Sequence, residues 1–271
     1  MTVRLLASDV DGTLVRSDGT VSAATRSAVH RATAAGLLVA FVTGRPPRWL
    51  HQVADDTGHT GVAVAGNGAV LYDLTSETIL SGHLLEPSRL VTLTDLLRNA
   101  FPDARFAVEY GMSFAYEPGY HHDWEINPSR DRRGQPIPPP HVAELAEIIT
   151  RPALKLLAKD WAADPDKFLA EATRVVGNRA TVTTSSRNGL LEIAAPGVTK
   201  ASGLAELAAS HGITADEVVA VGDMPNDVAM LEWAGRAYAV ANAHPSVLAV
   251  ADEVLPSNDD DGVAALINKL I

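Results

Sequence analysis

Short apolar runs alternate with helix-like segments along the first part of the chain. The runs VRLLAS, LLVAFV and GVAVA occupy residues 3–8, 37–42 and 61–65, and each predicts a buried strand because it is bounded and too short for a helix. The segment after Ser22 predicts a helix, since it has a serine N-cap, many alanines and a terminal Gly36. Buried strands alternating with helices indicate a parallel sheet covered on both faces.

The same alternation returns towards the C-terminus. TKASGLAELAASHG at 199–212 predicts a helix, EVVAVGD at 217–223 a strand, and DGVAALINKLI at 261–271 a closing helix. We expect the two α/β stretches to form one sheet. The domain prediction is a core of residues 1–83 and 190–271 with an inserted α+β domain at 84–189.

The sequence pattern of the predicted insertion differs from that of the core. ARFAVEY and MSFAYEP, at 104–110 and 112–118, are close strands separated by a turn, which favours a hairpin. Residues 118–141 are rich in proline, glycine and charge and predict a loop. A strand, a helix and a further strand are predicted between that loop and residue 189.

Length and charge bound the class of protein. With 271 residues, 46% of them hydrophobic, the chain is long enough for one large domain and a smaller one. Its 22 basic and 33 acidic residues give a formal net charge of −11. That charge argues against binding to the phosphate backbone of a nucleic acid.

The compartment is constrained as well. The sequence has no cysteine, which excludes disulfides and cysteine-ligated zinc and fits a reducing cytosol. The N-terminus reaches charged residues too early for a signal peptide, and no apolar run approaches the roughly 20 residues that span a bilayer. We expect a cytoplasmic protein with no membrane association, as a monomer or a homodimer.

Two aspartates, Asp9 and Asp11, stand at the tip of the first predicted strand. Ligands of open α/β sheets bind beyond the carboxyl ends of the strands, and residues i and i+2 of an extended segment point to one side. A second strand ends in VTGR at 42–45, and a later one in GDMPND at 222–227. If these strand ends are neighbours, three or four carboxylates converge.

Such a convergence requires a counter-ion. Two like charges about 4 Å apart repel by roughly 4 kcal/mol at an effective dielectric constant of 20. A cluster of oxygen donors without cysteine or a local histidine pair suits Mg²⁺, which combines carboxylates, waters and substrate phosphate. The predicted cofactor is therefore Mg²⁺, inferred from charge balance.

The same residues have ordinary structural interpretations. An Asp-Gly pair commonly ends a strand in a turn, and Thr43 suits a cap or a strand end. Asn226 and Asp227 suit a helix cap. Lys200, in the first turn of a predicted helix, is of a type usually solvated, although a cation is disfavoured at a helix N-terminus.

Other polar residues leave alternatives open. Arg45 suits a substrate contact or a surface salt bridge. Asn67, in GNGA, suits a turn with the glycine that follows it or the edge of the site. The adjacent His121 and His122 invite a metal-binding interpretation, but neighbouring histidines point in different directions and no carboxylate stands at ligand spacing.

Taken together, the motifs DVDGT, VTGR, PGVTK and GDMPND, in that order, resemble the haloacid dehalogenase superfamily of phosphohydrolases. AGNGAV, LLEIAAPGVTK and DDDGVAALI extend the resemblance to its Cof-type subfamily. The resemblance implies an α/β fold: a Rossmann-like parallel-sheet core with an inserted α+β cap of the C2 type. It covers the core and is weakest from Tyr110 to His141, so the choice of substrate stays open.

The resemblance implies roles for the motif aspartates. Asp9 is the expected nucleophile, forming an aspartyl-phosphate, and Asp11 the general acid and base. Mg²⁺ is expected to be held by Asp9, by the backbone carbonyl of Asp11 and by Asp223. Asp227 is expected to support the metal site or the motif lysine, which is Lys200.

Further roles concern the phosphoryl group. Thr43 and the Gly44 amide are expected to bind its oxygens, with Asn226 as a further contact. Lys200 is expected to neutralise its charge and hold Asp9. The expected function is a Mg²⁺-dependent phosphomonoesterase for a small phosphorylated metabolite, with a sugar phosphate favoured; a phosphomutase and a non-catalytic sensor of phosphorylated ligands are the alternatives.

Overall fold

The computed structural model describes residues 2–121, 139–185 and 188–271. His122 and most of the predicted loop at 118–141 therefore lie outside the described residues. His121 is described and is exposed, with its ring 5.8 Å from the ring of Trp161. Among the described residues, no helix is both long and apolar enough to cross a bilayer.

Strands and helices alternate along the chain. The strands are β1 (Leu5–Ser8), β2 (Leu38–Val42), β3 (Val62–Ala65), β4 (Val70–Asp73), β5 (Thr78–Gly82), β6 (Arg105–Glu109), β7 (Phe114–Tyr116), β8 (His141–Val142), β9 (Lys155–Lys159), β10 (Thr181–Thr183), β11 (Leu190–Ala194), β12 (Val218–Gly222), β13 (Arg236–Val240) and β14 (Glu253–Leu255). The α-helices are α1 (Ala23–Ala34), α2 (Leu50–Thr57), α3 (Pro87–Ala100), α4 (Leu145–Ile148), α5 (Pro165–Val176), α6 (Lys200–Ser210), α7 (Val228–Trp233), α8 (Pro245–Leu248) and α9 (Gly262–Leu270).

The chain forms two compact units. The core unit comprises Met1–Arg45, Trp49–Ser81 and Thr199–Ile271, and the inserted unit comprises Pro46–Arg48 and Gly82–Val198. β11 pairs with β9 in the sheet of the inserted unit, whereas the sequence-based boundary at 189 assigns its apolar run to the core. Apolar content alone does not distinguish the two sheets.

The core unit is built on one large sheet with the order β14-β13-β12-β1-β2-β3-β4-β5. β1 runs parallel to both β2 and β12, and β4 returns antiparallel to β3. The chain leaves β1 towards β2 and later returns to β12 on the other side, so the order reverses at β1. This reversal is the switch point at which doubly wound sheets bind ligands.

Local sequence explains the elements around β1. Its four residues are fully buried between flanking strands, as expected for an apolar run in a parallel sheet. Ser22 caps α1 by accepting a hydrogen bond from the Thr25 amide. Thr199 and Ser202 form a reciprocal capping box that starts α6 at Lys200.

A buried histidine packs on the core sheet. His59 is 6% exposed, and its ring centroid lies 4.6 Å from that of Phe41. A Cβ atom on Gly61 would come within 2.8 Å of the imidazole, so glycine makes room for the ring. Burial lowers the pKa of His59 to about 4, and the histidine is neutral in the folded protein at neutral pH.

This pKa predicts a pH-dependent stability. An unfolded histidine titrates near 6.5, so between about pH 4 and 6.5 the unfolded state binds the extra proton. Stability should therefore be complete above pH 6.5 and fall as the pH drops to about 4, by up to about 3 kcal/mol. Urea denaturation from pH 4.5 to 7.5 should show that His59→Gln removes this part of the slope; parallel profiles would contradict the assignment.

The inserted unit has a sheet of mixed direction. Its order is β10-β11-β9-β6-β7-β8, and β6 and β7 form the predicted antiparallel hairpin. The aromatic pair Phe101 and Phe168 meets edge to face, with ring centroids 4.7 Å apart, and joins the residues that follow α3 to α5. The predicted α/β class with an inserted α+β unit is confirmed.

Charged residues are buried in the sheet of the inserted unit. Glu109 stands directly opposite Lys155 across β6 and β9. Lys155 pairs with Glu192, and Glu109 pairs with Arg48. Residues two apart on these strands, together with Phe114 and Tyr120, form an apolar cluster, so one face combines rings with buried ion pairs.

Candidate active site

Three strand ends meet at the same level of the core sheet. Ser8 is in register with Phe41 on β2 and Val221 on β12. The Asp9 amide continues the ladder by donating to the Val221 carbonyl at 3.0 Å. Asp9 therefore lies beside the end of β12, where Asp223 follows, and beside the end of β2, where Thr43 follows. The predicted convergence of strand ends is thus observed.

Lys200 is the centre of a buried charge cluster. Its Nζ donates to Oδ1 of Asp9 at 2.5 Å and to Oδ1 of Asp227 at 2.6 Å. Its side chain is 1% exposed. Burial by itself lowers the pKa of the Lys200 ammonium, but the carboxylates of Asp227 and Asp9 outweigh burial and raise it above its usual value. Lys200 is a permanent cation here, not the solvated lysine of the ordinary interpretation.

The start of α6 is positioned by close backbone packing. A Cβ atom on Gly68 would lie 2.0 Å from the Thr199 carbonyl oxygen, and the φ of Gly68 is +96°. Gly203, one turn into α6, would collide with Val64 in the same way, at 2.5 Å. The two glycines let the loop after β3 pack against the helix that carries Lys200.

Asp227 is held on both oxygens. Its Oδ1 accepts from Lys200, and its Oδ2 accepts from the amides of Asp223 and Met224, at 3.1 and 2.9 Å. A Cβ atom on Gly222 would lie 2.5 Å from the Asp227 carboxyl carbon, so glycine leaves the space that this side chain occupies. Asp227 orients the turn after β12 and the lysine together.

Asp9 and Asp223 complete the cluster. Asp9, Asp223 and Asp227 each offer a carboxylate oxygen within 4.8 Å of the others. Burial raises the pKa of Asp9 well above its ordinary value despite Lys200. Burial, followed by the charge of Asp227, raises the pKa of Asp223 to about 6. A bound cation would oppose this effect of burial, because it favours the charged form of a neighbouring carboxylate.

The donor set fits a divalent metal ion. Because both oxygens of Asp227 are engaged within the protein, Asp9 and Asp223 are the carboxylates with capacity for a metal. Thr13 fixes Asp223 by donating to its Oδ1 at 2.8 Å. A Cβ atom on Gly12 would lie 2.5 Å from Asp223 Oδ2, so glycine keeps space beside that oxygen. Oxygen donors of this kind are those of Mg²⁺ sites.

Asp11 is not part of the carboxylate cluster. Its side chain is 58% exposed and pairs with Arg45, whose Nε and Nη2 donate at 2.9 and 2.6 Å. The extended strand ends before Asp11, because the Leu14 amide bonds back to the Val10 carbonyl and closes a turn. The two-residue spacing from Asp9 to Asp11 therefore does not place both side chains in one cluster.

The residues predicted to bind phosphate follow the ends of β2 and β12. Thr43 is buried, and its hydroxyl accepts from the Arg45 amide at 3.0 Å while keeping its own proton to donate. Gly44 lies between them in the chain. Asn226 is buried and donates through Nδ2 to Oδ1 of Asn67 at 3.0 Å, and its own Oδ1 has no hydrogen-bond partner within the described residues.

Some contacts of the site were not predicted. Thr13 belongs to the DVDGT motif but was not singled out, and its partner Asp223 lies 210 residues away. Asn67 adopts a left-handed φ of 59° and contacts Asn226, which favours the site-edge alternative over a simple turn. Asn242 donates to the Gly12 carbonyl at 2.8 Å, and nothing in its sequence context signals this contact.

A switch-point sheet edge with three buried carboxylates, an ion-paired lysine and a strand-end threonine is where an α/β enzyme binds its ligand. The family comparison makes this specific. Residues 6–267 match the model of the haloacid dehalogenase-like hydrolases, and the chain belongs to that family. The predicted superfamily is confirmed.

Curated relatives of the same length carry phosphatase names. The chain is 27% identical to 5-amino-6-(5-phospho-D-ribitylamino)uracil phosphatase YwtE of Bacillus subtilis, covering 99% of this chain and 98% of the relative. It is also 27% identical to pyridoxal phosphate phosphatase YbhA of Escherichia coli, with 98% of each covered. These matches confirm the prediction of an enzyme of the phosphatase type.

The fold comparison agrees with the family. The solved structure of SMU.1108c from Streptococcus mutans superposes with a TM-score of 0.84 at 21% identity, covering 99% of this chain and 98% of the other. At this identity the comparison supports the fold, including the inserted unit. The assignment of individual side chains rests on the geometry described above.

Proposed function

We propose that this protein is a Mg²⁺-dependent phosphomonoesterase that forms an aspartyl-phosphate on Asp9. The observation that carries the proposal is the Lys200 ammonium, 2.5 Å from Asp9 and 2.6 Å from Asp227, beside the Asp223 carboxylate. A permanent cation and a nucleophilic carboxylate at the switch point of the sheet are what phosphoryl transfer requires.

The proposed reaction has two steps. A carboxylate oxygen of Asp9 attacks phosphorus and the ester P–O bond breaks, while Asp11 gives its proton to the departing alcohol oxygen. Asp11, now a carboxylate, then takes a proton from a water whose oxygen attacks the same phosphorus. The Asp9–phosphorus bond breaks, and inorganic phosphate leaves with both aspartates restored.

The remaining residues bind and position. Lys200 holds Asp9 and neutralises charge on the phosphoryl oxygens, to which Thr43, the Gly44 amide and Asn226 donate hydrogen bonds. The unfilled Asn226 Oδ1 offers an acceptor to a substrate hydroxyl or to water. Asp9, Asp223 and the Asp11 backbone carbonyl would hold Mg²⁺, which supplies charge stabilisation for the phosphoryl group when bound.

The substrate is proposed to be a small phosphomonoester, with a sugar phosphate as the first candidate. The two relatives described above are named for small phosphorylated compounds. We further propose that the inserted unit selects the leaving alcohol. Its sheet carries the buried ion pairs Lys155–Glu192 and Arg48–Glu109 beside aromatic rings, so one face of that sheet combines polar and aromatic groups.

The metal requirement can be tested directly. With Mg²⁺, the protein should release inorganic phosphate from p-nitrophenyl phosphate, and EDTA should abolish release. Asp223→Asn should raise the Mg²⁺ concentration for half-maximal rate by at least about tenfold, because a carboxylate donor is lost. Asp95→Asn, on an exposed position of α3, is the matched control. Release of phosphate undiminished by EDTA would contradict the proposal, and an isomerised phosphoester as product would indicate a mutase.

A further inference from the structure

Arg45 forms a bidentate ion pair with the Asp11 carboxylate. Nε donates to Oδ2 at 2.9 Å and Nη2 donates to Oδ1 at 2.6 Å, which is the bidentate geometry of the strongest arginine–carboxylate pairs. The side chains are 21% and 58% exposed. Because the Asp11 end of the pair is open to water, we expect the pair to contribute little to stability.

The guanidinium is fixed from several directions. Nη1 donates to the Trp49 carbonyl at 3.2 Å. The Arg45 amide donates to the Thr43 hydroxyl at 3.0 Å, and the Arg45 carbonyl accepts from the Gly66 amide at 2.9 Å. The backbone on either side of the side chain is thus anchored to the phosphate-binding turn and to the loop after β3.

Three of the five N–H groups of the Arg45 guanidinium donate to the protein. Nε and Nη2 serve Asp11, and Nη1 serves Trp49. The Nε–Nη2 edge, which could otherwise bind a phosphoryl group with two hydrogen bonds, is occupied by Asp11. The geometry favours an action of Arg45 through Asp11.

The other charges of the site indicate why the Asp11 carboxylate needs a neighbouring cation. Asp9, Asp11, Asp223 and Asp227 oppose the approach of a phosphate dianion, and Lys200 is committed to Asp9 and Asp227. Arg45 is the cation on Asp11. We infer that Arg45 is a positioning residue that neutralises and orients Asp11 when it is a carboxylate, as it is after the alcohol has left, so that the phosphate dianion beside it is not repelled. This inference rests on the proposed function.

A double-mutant cycle on the binding of inorganic phosphate tests the inference. Calorimetric titration with phosphate at fixed Mg²⁺ would compare wild type, Arg45→Met, Asp11→Asn and the double variant. Arg45→Met should weaken binding about tenfold, the effect of exposing one neighbouring negative charge. In the Asp11→Asn background the same replacement should change affinity by less than about twofold, because the charge that Arg45 offsets is gone.

The chain offers a graded control. Arg45→Lys keeps the positive charge but cannot form the bidentate pair with Asp11. It should therefore bind phosphate more tightly than Arg45→Met and less tightly than the wild type. Asp11→Asn leaves the backbone carbonyl in place, so the proposed metal donors are retained. An equal loss from Arg45→Met in both backgrounds would overturn the inference and indicate direct contact with phosphate.

The experiment distinguishes a failure of the inference about Arg45 from a failure of the proposed function. If wild-type protein with Mg²⁺ neither binds phosphate nor hydrolyses a phosphomonoester, the proposed function fails. If wild type does both and the Arg45 effect is independent of Asp11, only the role of Arg45 fails. Asp11 is mostly exposed and Arg45 is largely buried, so thermal melts first establish which of the four variants are folded, and the folded variants are titrated.

Discussion

Replacing Asp9 by asparagine should lower phosphatase turnover by at least about a thousandfold. The amide is isosteric with the carboxylate but is not a nucleophile towards phosphorus, so the aspartyl-phosphate cannot form. Asp9 is 4% exposed, and burial disfavours its charge, as its raised pKa shows. The neutral amide is therefore compatible with the fold, and Lys200 keeps Asp227 as a partner.

Two measurements separate chemistry from folding in this variant. Steady-state release of phosphate from p-nitrophenyl phosphate gives the loss of turnover. Thermal melting should place Asp9→Asn close to wild type, within about 2 kcal/mol at the midpoint. A folded Asp9→Asn protein that keeps a tenth of wild-type turnover would show that Asp9 is not the nucleophile.

Replacing Lys200 by methionine should damage both stability and activity. Removing one partner of a buried ion pair costs about 3 kcal/mol or more, and here Asp9 and Asp227 lose the same cation. Protonation of Asp9 can reduce this loss of stability, because burial already disfavours the charged form of its carboxyl group. Turnover should fall at least about a hundredfold, because the cation no longer offsets phosphoryl charge.

The destabilisation caused by Lys200→Met should depend on Mg²⁺. A cation bound beside Asp9 and Asp223 replaces some of the lost positive charge, so Lys200→Met should be destabilised more in EDTA than in saturating Mg²⁺. Melting curves of wild type, Lys200→Met and the exposed Lys167→Met control, in both conditions, measure this. Equal destabilisation in Mg²⁺ and EDTA would contradict a metal site next to the lysine.

Much of the fold was predictable because its signals are local. β1, β2 and β12 are continuous buried runs, which periodicity identifies directly. The hairpin of β4 and β5 was missed, since β5 (Thr78–Gly82) is largely exposed and has no buried face to produce a pattern. The edge of the inserted unit at β11 depends on its pairing with β9, which apolar content cannot reveal.

The candidate site, like the fold, was predictable from the sequence only in part. The positions of Asp9, Asp223 and Lys200 followed from strand ends and motif order, and the structure brings these residues together. The separate place of Asp11 did not follow, because a turn begins at Val10 and ends the strand geometry. Contacts such as Thr13 with Asp223 join residues far apart in the chain and depend on the folded sheet.

The central claim is that phosphate is transferred to Asp9, and trapping the intermediate tests it most directly. p-Nitrophenolate leaves without an acid, whereas hydrolysis of the aspartyl-phosphate needs Asp11 as base. Asp11→Asn mixed with p-nitrophenyl phosphate and Mg²⁺ should therefore release about one equivalent of p-nitrophenol rapidly and then slow. Acid quenching and peptide mass spectrometry should then find the phosphoryl group on Asp9. Turnover by the wild type with no phosphoryl group on Asp9 in the trapped variant, or with one on another residue, would contradict the account.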